Sequence, residues 1–156
     1  MAKKVDVKEY QCELIKVLDG DTIDCFIDLG FNLKTKKRIR YMGIDTWESR
    51  TKDLEEKKKG LAAKARNKEL LEGGVFKLKS FGTGKFGRVL GEIWINCTED
   101  GHDFNGWTNV NKWLCENGYA VGYTGQNKDD VKDEHWKNRV LLAEQGVHDL
   151  LPWDED

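Results

Sequence analysis

The chain has 156 residues, 38% hydrophobic and 35% charged, with six Trp, six Phe and four Tyr. That excludes a disordered chain, which lacks such bulky core material, and allows a core large enough to fold alone. Twenty-six basic residues against 28 acidic ones leave a net charge of −2, so no global positive field marks a nucleic-acid partner and such binding must rest on local patches.

No stretch approaches the roughly 20 apolar residues of a membrane span, and no apolar run follows MAKK; both predict a cytoplasmic protein without membrane contact. Cys12, Cys25, Cys97 and Cys115 are scattered without a C-x-x-C pair, which predicts free thiols. His102, His135 and His148 lack metal-like spacing with them, which argues against zinc.

Residues 10–18 and 23–30 read as strands around the turn signal Asp19-Gly20. RIRYMGI, from Arg38, is a third strand, with Arg38 and Arg40 on one face and Ile39 and Tyr41 on the other. The charged stretch TWESRTKDLEEKKK reads as a loop. A helix follows, with Leu61, Ala62, Ala65, Lys68 and Leu71 on its period and Gly73-Gly74 as its stop.

Residues 75–81 and 88–95 are two more strands around GTGKFG. Residues 108–118 form a short helix capped by Thr108 or Asn109. YAVGY is a short extended piece. Residues 129–146 form a last helix, with Asp129 or Asp130 at its start and Val131, His135 or Trp136, Val140 and Leu141 inward. No repeat or linker interrupts the chain, so residues 1–156 read as one domain, its core about 10–146, with a short acidic tail. Three strands, a helix, two strands and two helices suit an α+β fold, with a small closed barrel of the OB type as one candidate.

Asp21 opens the second strand and Asp45 closes the third. In a barrel these ends share a rim, where two carboxylates and a backbone carbonyl make a hard oxygen site suited to Ca²⁺ or Mg²⁺. Arg40 and Arg88 are forked cations suited to phosphate, and Glu48 is placed to act on water. Taken singly, each has an ordinary reading as well: a turn, a solvated arginine, a loop carboxylate.

The ordered set is more specific. VLDGDT, RYMGIDTWE, EKKKGLAAKA, GKFGRVLGEI and VNKWLCENGYA resemble, in sequence, the successive blocks of the staphylococcal nuclease family, over roughly residues 10–145. The resemblance implies a five-stranded OB-type barrel with three α-helices and a Ca²⁺-dependent endonuclease. It would hydrolyse DNA and RNA, prefer single strands and leave 3′-phosphates. It implies Asp21 and Asp45 as side-chain ligands of Ca²⁺ and Thr46 as a backbone one. Arg40 and Arg88 would grip the phosphate, and Glu48 would hold or activate the water.

Lys36, Lys37, Lys85, Phe86 and Tyr123 are candidates for further nucleic-acid contact, beside Lys34 and Arg38. The expected state is a monomer, and the sequence does not identify the protein inhibitor that an intracellular nuclease would call for. The alternative is a non-catalytic nucleic-acid- or protein-binding module on the same fold. Trp47 stands where the family carries proline, which removes a stiff turn and leaves its ring to pack on the barrel or stack on a base. The connection before Arg38, the insertion after Asn96 and the acidic balance also depart from the family pattern.

Overall fold

Inward and outward residues alternate along the strands, as the two-residue period of a β-strand requires. Ile23, Cys25 and Ile27 are buried on β2 (Thr22–Gly30), and Ile39 and Tyr41 on β3 (Leu33–Tyr41). Phe76 and Leu78 are buried on β5 (Val75–Thr83), and Ile93 and Ile95 on β6 (Val89–Asn96). With Cys12 and Val17 of β1 (Lys8–Asp19) they line one interior. These contacts come from a computed structural model that describes residues 8–96 and 107–148, the side chain of Lys85 excepted.

The strands run in the order β3-β2-β1-β5-β6, and β3 pairs in parallel with β6, which closes a five-stranded OB-type barrel. Val89, Leu90 and Gly91 lie beside Ile39, Arg40 and Tyr41. The short β7 (Trp107–Asn109) continues the edge of β6. A separate two-stranded ladder joins β4 (Ile44–Thr46) to β8 (Ala120–Gly122). Asp45 is therefore in the middle of β4 rather than at the end of β3. Gly43, at φ +79, breaks the strand and turns the chain.

Two further expectations are corrected. The charged stretch expected as loop is helical from Leu54: Asp53 caps α1 (Leu54–Leu70), its carboxylate accepting from the amides of Glu55 at 3.0 Å and Glu56 at 3.2 Å. The buried face of α1 is Lys59, Gly60, Ala63 and Asn67, while Leu61 is exposed. A charge-rich pattern hid this face because Lys59, only 1% exposed, is satisfied by Glu55 at 3.1 Å and lies 4.1 Å from the centre of the Trp136 ring.

The last helix is also two: α3 (Lys128–Lys137), capped by Asn127, and α4 (Arg139–Glu144). That makes four α-helices among the described residues. The break falls at Asn138, whose side-chain amide donates to the carbonyl of Ala120 at 3.1 Å and ties the chain to β8. Leu142 is buried there, whereas Val140 and Leu141 face outward. Asn109 caps α2 (Val110–Glu116).

Tyr41, Asn67 and Asn111 bond the helices to the barrel end. The Tyr41 hydroxyl donates to Asn67 at 2.5 Å, and Asn67 donates to the carbonyl of Asp19 at 3.1 Å. The Asn111 amide donates to the carbonyls of Met42 and Gly91 and accepts from the amide of Ile93. These bonds tie α2 to backbone groups of the β3–β4 and β6 segments, which are thereby hydrogen-bonded where they are buried. Cys12, Cys25 and Cys115 are free thiols. Cys97, His102 and Pro152 lie outside the described residues.

Candidate active site

Asp19 pairs with Thr22 in the β1–β2 hairpin, so Gly20 and Asp21 form its turn. Asp21 is thereby turned to the barrel rim, nearly buried. Its carboxylate accepts from the Thr22 hydroxyl at 3.0 Å and the Thr46 amide at 3.2 Å, and one arm of Arg40 lies 3.0 Å away. The other arm of Arg40 is 3.6 Å from Asp45. One guanidinium on β3 thus bridges a carboxylate from the β1–β2 turn and one from β4. Asp21, Arg40, Asp45 and Thr46 converge, although 25 positions separate Asp21 from Thr46.

Burial pushes the carboxyl of Asp21 above the ordinary carboxylate value, against the pull of Arg40 and the Thr46 amide, and the charge of Asp45 pushes it further. The pair is short of positive charge even with Arg40 between them. Among the described residues no three His, Cys, Asp or Glu side chains are placed to hold one metal ion between them. A hard divalent cation would therefore meet two carboxylates here and take its other oxygens from backbone, water or phosphate. An all-oxygen donor set with excess negative charge fits such an ion.

Asp45 has a second partner that the sequence did not disclose. His135 of α3, 2% exposed, brings Nε2 to 2.9 Å from Asp45 Oδ2. A carboxylate offers only acceptors, so the proton of this bond sits on Nε2. Trp47, 5% exposed, lies over His135 with ring centres 4.5 Å apart and meets the edge of Trp136 at 5.8 Å. The Trp47 ring is therefore packed against α3 and not presented to a base. It restrains the Asp45–Glu48 turn where a proline would have done so covalently. A histidine reads from sequence as one more helix residue, and only the packing of α3 on β4 shows what it holds.

Close approach fixes the same turn from the other side. A Cβ on Gly60 would stand 2.2 Å from the carbonyl oxygen of Glu48, so α1 crosses this backbone where only glycine fits. Gly20 is likewise held against Thr46 and Ala63. The Ser49 hydroxyl bonds the carboxylate of Asp19. The Glu48 side chain itself is exposed, on a backbone clamped by its neighbours.

Arg88 precedes β6, its guanidinium 5.8 Å from the ring of Phe86. It opens on a basin of about 660 Å³ shared with Asp19, Thr22, Lys36, Lys37 and Arg50. Phe86 is 93% exposed, at φ +62. Lys85 lies in the same turn, its side chain outside the described part of the structure. Tyr123 follows β8, half exposed, its amide bonded to the carbonyl of Gly43. Arg38 is paired with Asp24 at 2.9 Å, and Lys34 with Glu13 at 3.8 Å.

The family model described as staphylococcal nuclease homologue matches residues 38–146. The chain is also 31% identical over 88 residues to Protein ParB of Escherichia coli, which is 56% of this chain and 44% of that protein. The chain thus spans less than half the length of this curated relative. Among the described residues no helix is long and apolar enough to cross a membrane.

Proposed function

The chain belongs to the staphylococcal nuclease family, and from that premise we propose that it is a Ca²⁺-dependent phosphodiesterase acting on DNA and RNA, single strands first. One observation carries the reading. Two carboxylates and an arginine from three separate segments meet at the barrel rim, with more negative charge than the arginine balances. A stable fold has no need of such a cluster.

Asp21, Asp45 and the backbone of Thr46 would hold the cation, which when bound supplies Lewis acidity toward a phosphate oxygen. Arg40 has five N–H donors, more than its contacts to Asp21, Asp45 and the Tyr41 carbonyl consume. It can hold the carboxylates and still meet a phosphate. Arg88 adds a second guanidinium, and both gain as charge builds on the phosphoryl oxygens. Glu48 positions the attacking water and accepts its proton. The 5′ P–O bond breaks, and the product keeps a 3′-phosphate. His135 keeps Asp45 aimed at the rim, and the exposed Lys36, Lys37, Phe86 and Tyr123, with Lys85 in the turn beside Phe86, grip the strand beyond the scissile phosphate. The protein works as a cytoplasmic monomer.

The test is cleavage of labelled single- and double-stranded DNA with Ca²⁺, with Mg²⁺ and with chelator, beside Glu48→Ala and Arg40→Ala. Activity with Ca²⁺ that both variants lose supports the reading. Oligonucleotide binding without cleavage under any metal would replace it by the binding module. A rise in Tm that needs Ca²⁺ and a nucleotide bisphosphate together is a second readout, independent of turnover.

A further inference from the structure

The β2–β3 hairpin carries a feature that folding does not explain. Gly30 pairs with Leu33, so Phe31 and Asn32 form a two-residue turn, at φ +56 and +63. Such a turn favours Asn and Gly, and a bulky residue in the left-handed region is an outlier. Phe31 nevertheless occupies it and is 96% exposed. The ring buries nothing while its backbone is strained. The turn before β6 repeats the device with Phe86. An apolar side chain held outward at a backbone cost is better explained by a ligand than by the fold.

The topology relates the two rings. β3 and β6 run in parallel with Ile39 beside Val89, and residues just before each of them line the same basin. Arg38, Lys37 and Lys36 share it with Arg88, Gly87 and Phe86, and its lining includes Thr22, the neighbour of Asp21. Beyond Lys36 the hairpin continues for five residues, roughly 15 Å, to Phe31. Five cations line the basin, Lys36, Lys37, Arg38, Arg50 and Arg88, against two acids, Asp19 and Asp24. Its balance is cationic and suits a polyanion.

We propose that Phe31 is a second base-stacking platform, and that a single strand held at the Asp21–Arg40–Asp45 rim runs through this basin past Phe86 and out along the hairpin to Phe31. The inference rests on the nuclease reading for where the strand begins. It deepens that reading by naming the substrate as a single strand of several nucleotides, within the roughly 4–16 that OB barrels take. Asp24 and Asp28 of the same hairpin, with Glu13 on the neighbouring β1, disfavour an anionic bilayer as the occupant. A polynucleotide can thread between them, meeting cations with its phosphates and the rings with its bases.

The experiment measures binding of labelled oligothymidylates of 3 and 12 nucleotides to the full chain, in chelator at low salt so that nothing is cleaved. It compares wild type with Phe31→Gly and Phe31→Trp. The expected result is a roughly ten-fold loss of 12-mer affinity in Phe31→Gly, no change for the 3-mer, and recovery in Phe31→Trp. The Tm of Phe31→Gly should equal or exceed that of wild type, because glycine adopts the turn without strain. Equal 12-mer affinity in wild type and Phe31→Gly, with both oligomers bound, overturns the proposal and leaves the nuclease reading standing. No binding of either oligomer by wild type overturns the proposal, while the nuclease reading, whose hold on phosphate needs Ca²⁺, stands or falls by the cleavage assay. Binding to phosphatidylserine vesicles that Phe31→Gly abolishes, with oligomer affinity unchanged, assigns the tip to lipid and overturns the proposal.

Discussion

The rim and the two phenylalanine turns are built on opposite terms. At the rim, Asp21 and Asp45 are held by Arg40, the Thr46 amide and His135, with Trp47 packed above and Gly60 pressed below. The two carboxylates and Arg40 are each fixed by several contacts, and Glu48 is held through its backbone. At the turns, Phe31 and Phe86 touch little and strain the backbone that carries them. Chemistry needs fixed geometry, and the rim obtains it from burial. A grip on many sequences needs reach and open faces, and the turns obtain them by giving up packing. Substitutions at the rim should therefore cost stability and activity together, unless they relieve its charge, whereas substitutions at the turns should cost binding alone.

The largest effect is expected at Gly60. Alanine there gains about 1 kcal/mol of helix propensity, but its Cβ would stand 2.2 Å from the Glu48 carbonyl. Overpacking against backbone costs about 3 kcal/mol, so Gly60→Ala should lower the unfolding free energy by a net ~2 kcal/mol, read as a lower urea midpoint, and uncouple Glu48 from the rim. A wild-type midpoint would show that α1 does not set this turn.

His135→Ala comes next. It removes the bond to Asp45 and opens a gap beneath Trp47, for a loss of about 2 kcal/mol. The fluorescence of Trp47 should shift as its ring is uncovered, and kcat should fall more than KM rises. Unchanged kcat would confine His135 to packing.

Asp21→Asn runs the other way. A carboxyl raised in the fold binds protons more tightly folded than unfolded. Wild type therefore loses stability as pH rises from the ordinary 3.8 through the folded value. Asparagine is spared this loss. In chelator, Asp21→Asn should melt higher than wild type at pH 7 by a few degrees, about 2–4 °C per kcal/mol, with the difference closing below pH 3.8. A constant difference across pH would mean that the charge at Asp21 is not its source.

The smallest change in stability is expected at Phe86→Gly. Relief of a left-handed non-glycine residue is worth about 1–2 kcal/mol, offset in part by the freedom glycine returns to the unfolded chain. The net should be a slight gain in Tm with weaker binding of single strands. A clear loss of Tm would show that Phe86 packs and is no outward platform.

Much of this molecule is written locally. Alternating apolar residues at Ile23, Cys25 and Ile27, or at Ile93 and Ile95, can form only strands with one face buried, and Asp19-Gly20 between two such runs can hardly be other than a hairpin. Asp21, Arg40 and Asp45 were picked out by the blocks VLDGDT and RYMGIDTWE, although Asp45 lies in the middle of β4 and not at the end of β3 where the pattern put it. Other features depend on partners distant in the chain. The start of α1 was hidden because its buried face uses Lys59, which counts as core only once Glu55 and Trp136 receive it. The division of the last helix awaited Ala120, which binds Asn138. The place of Trp47, open between barrel and base, was decided by His135, 88 positions further along the chain. Local pattern sets which residues face inward. Which of those side chains meet, and so which carboxylate is held for chemistry, is a property of the packing of α1 and α3 across the barrel end, where contacts far apart in sequence outweigh every local preference.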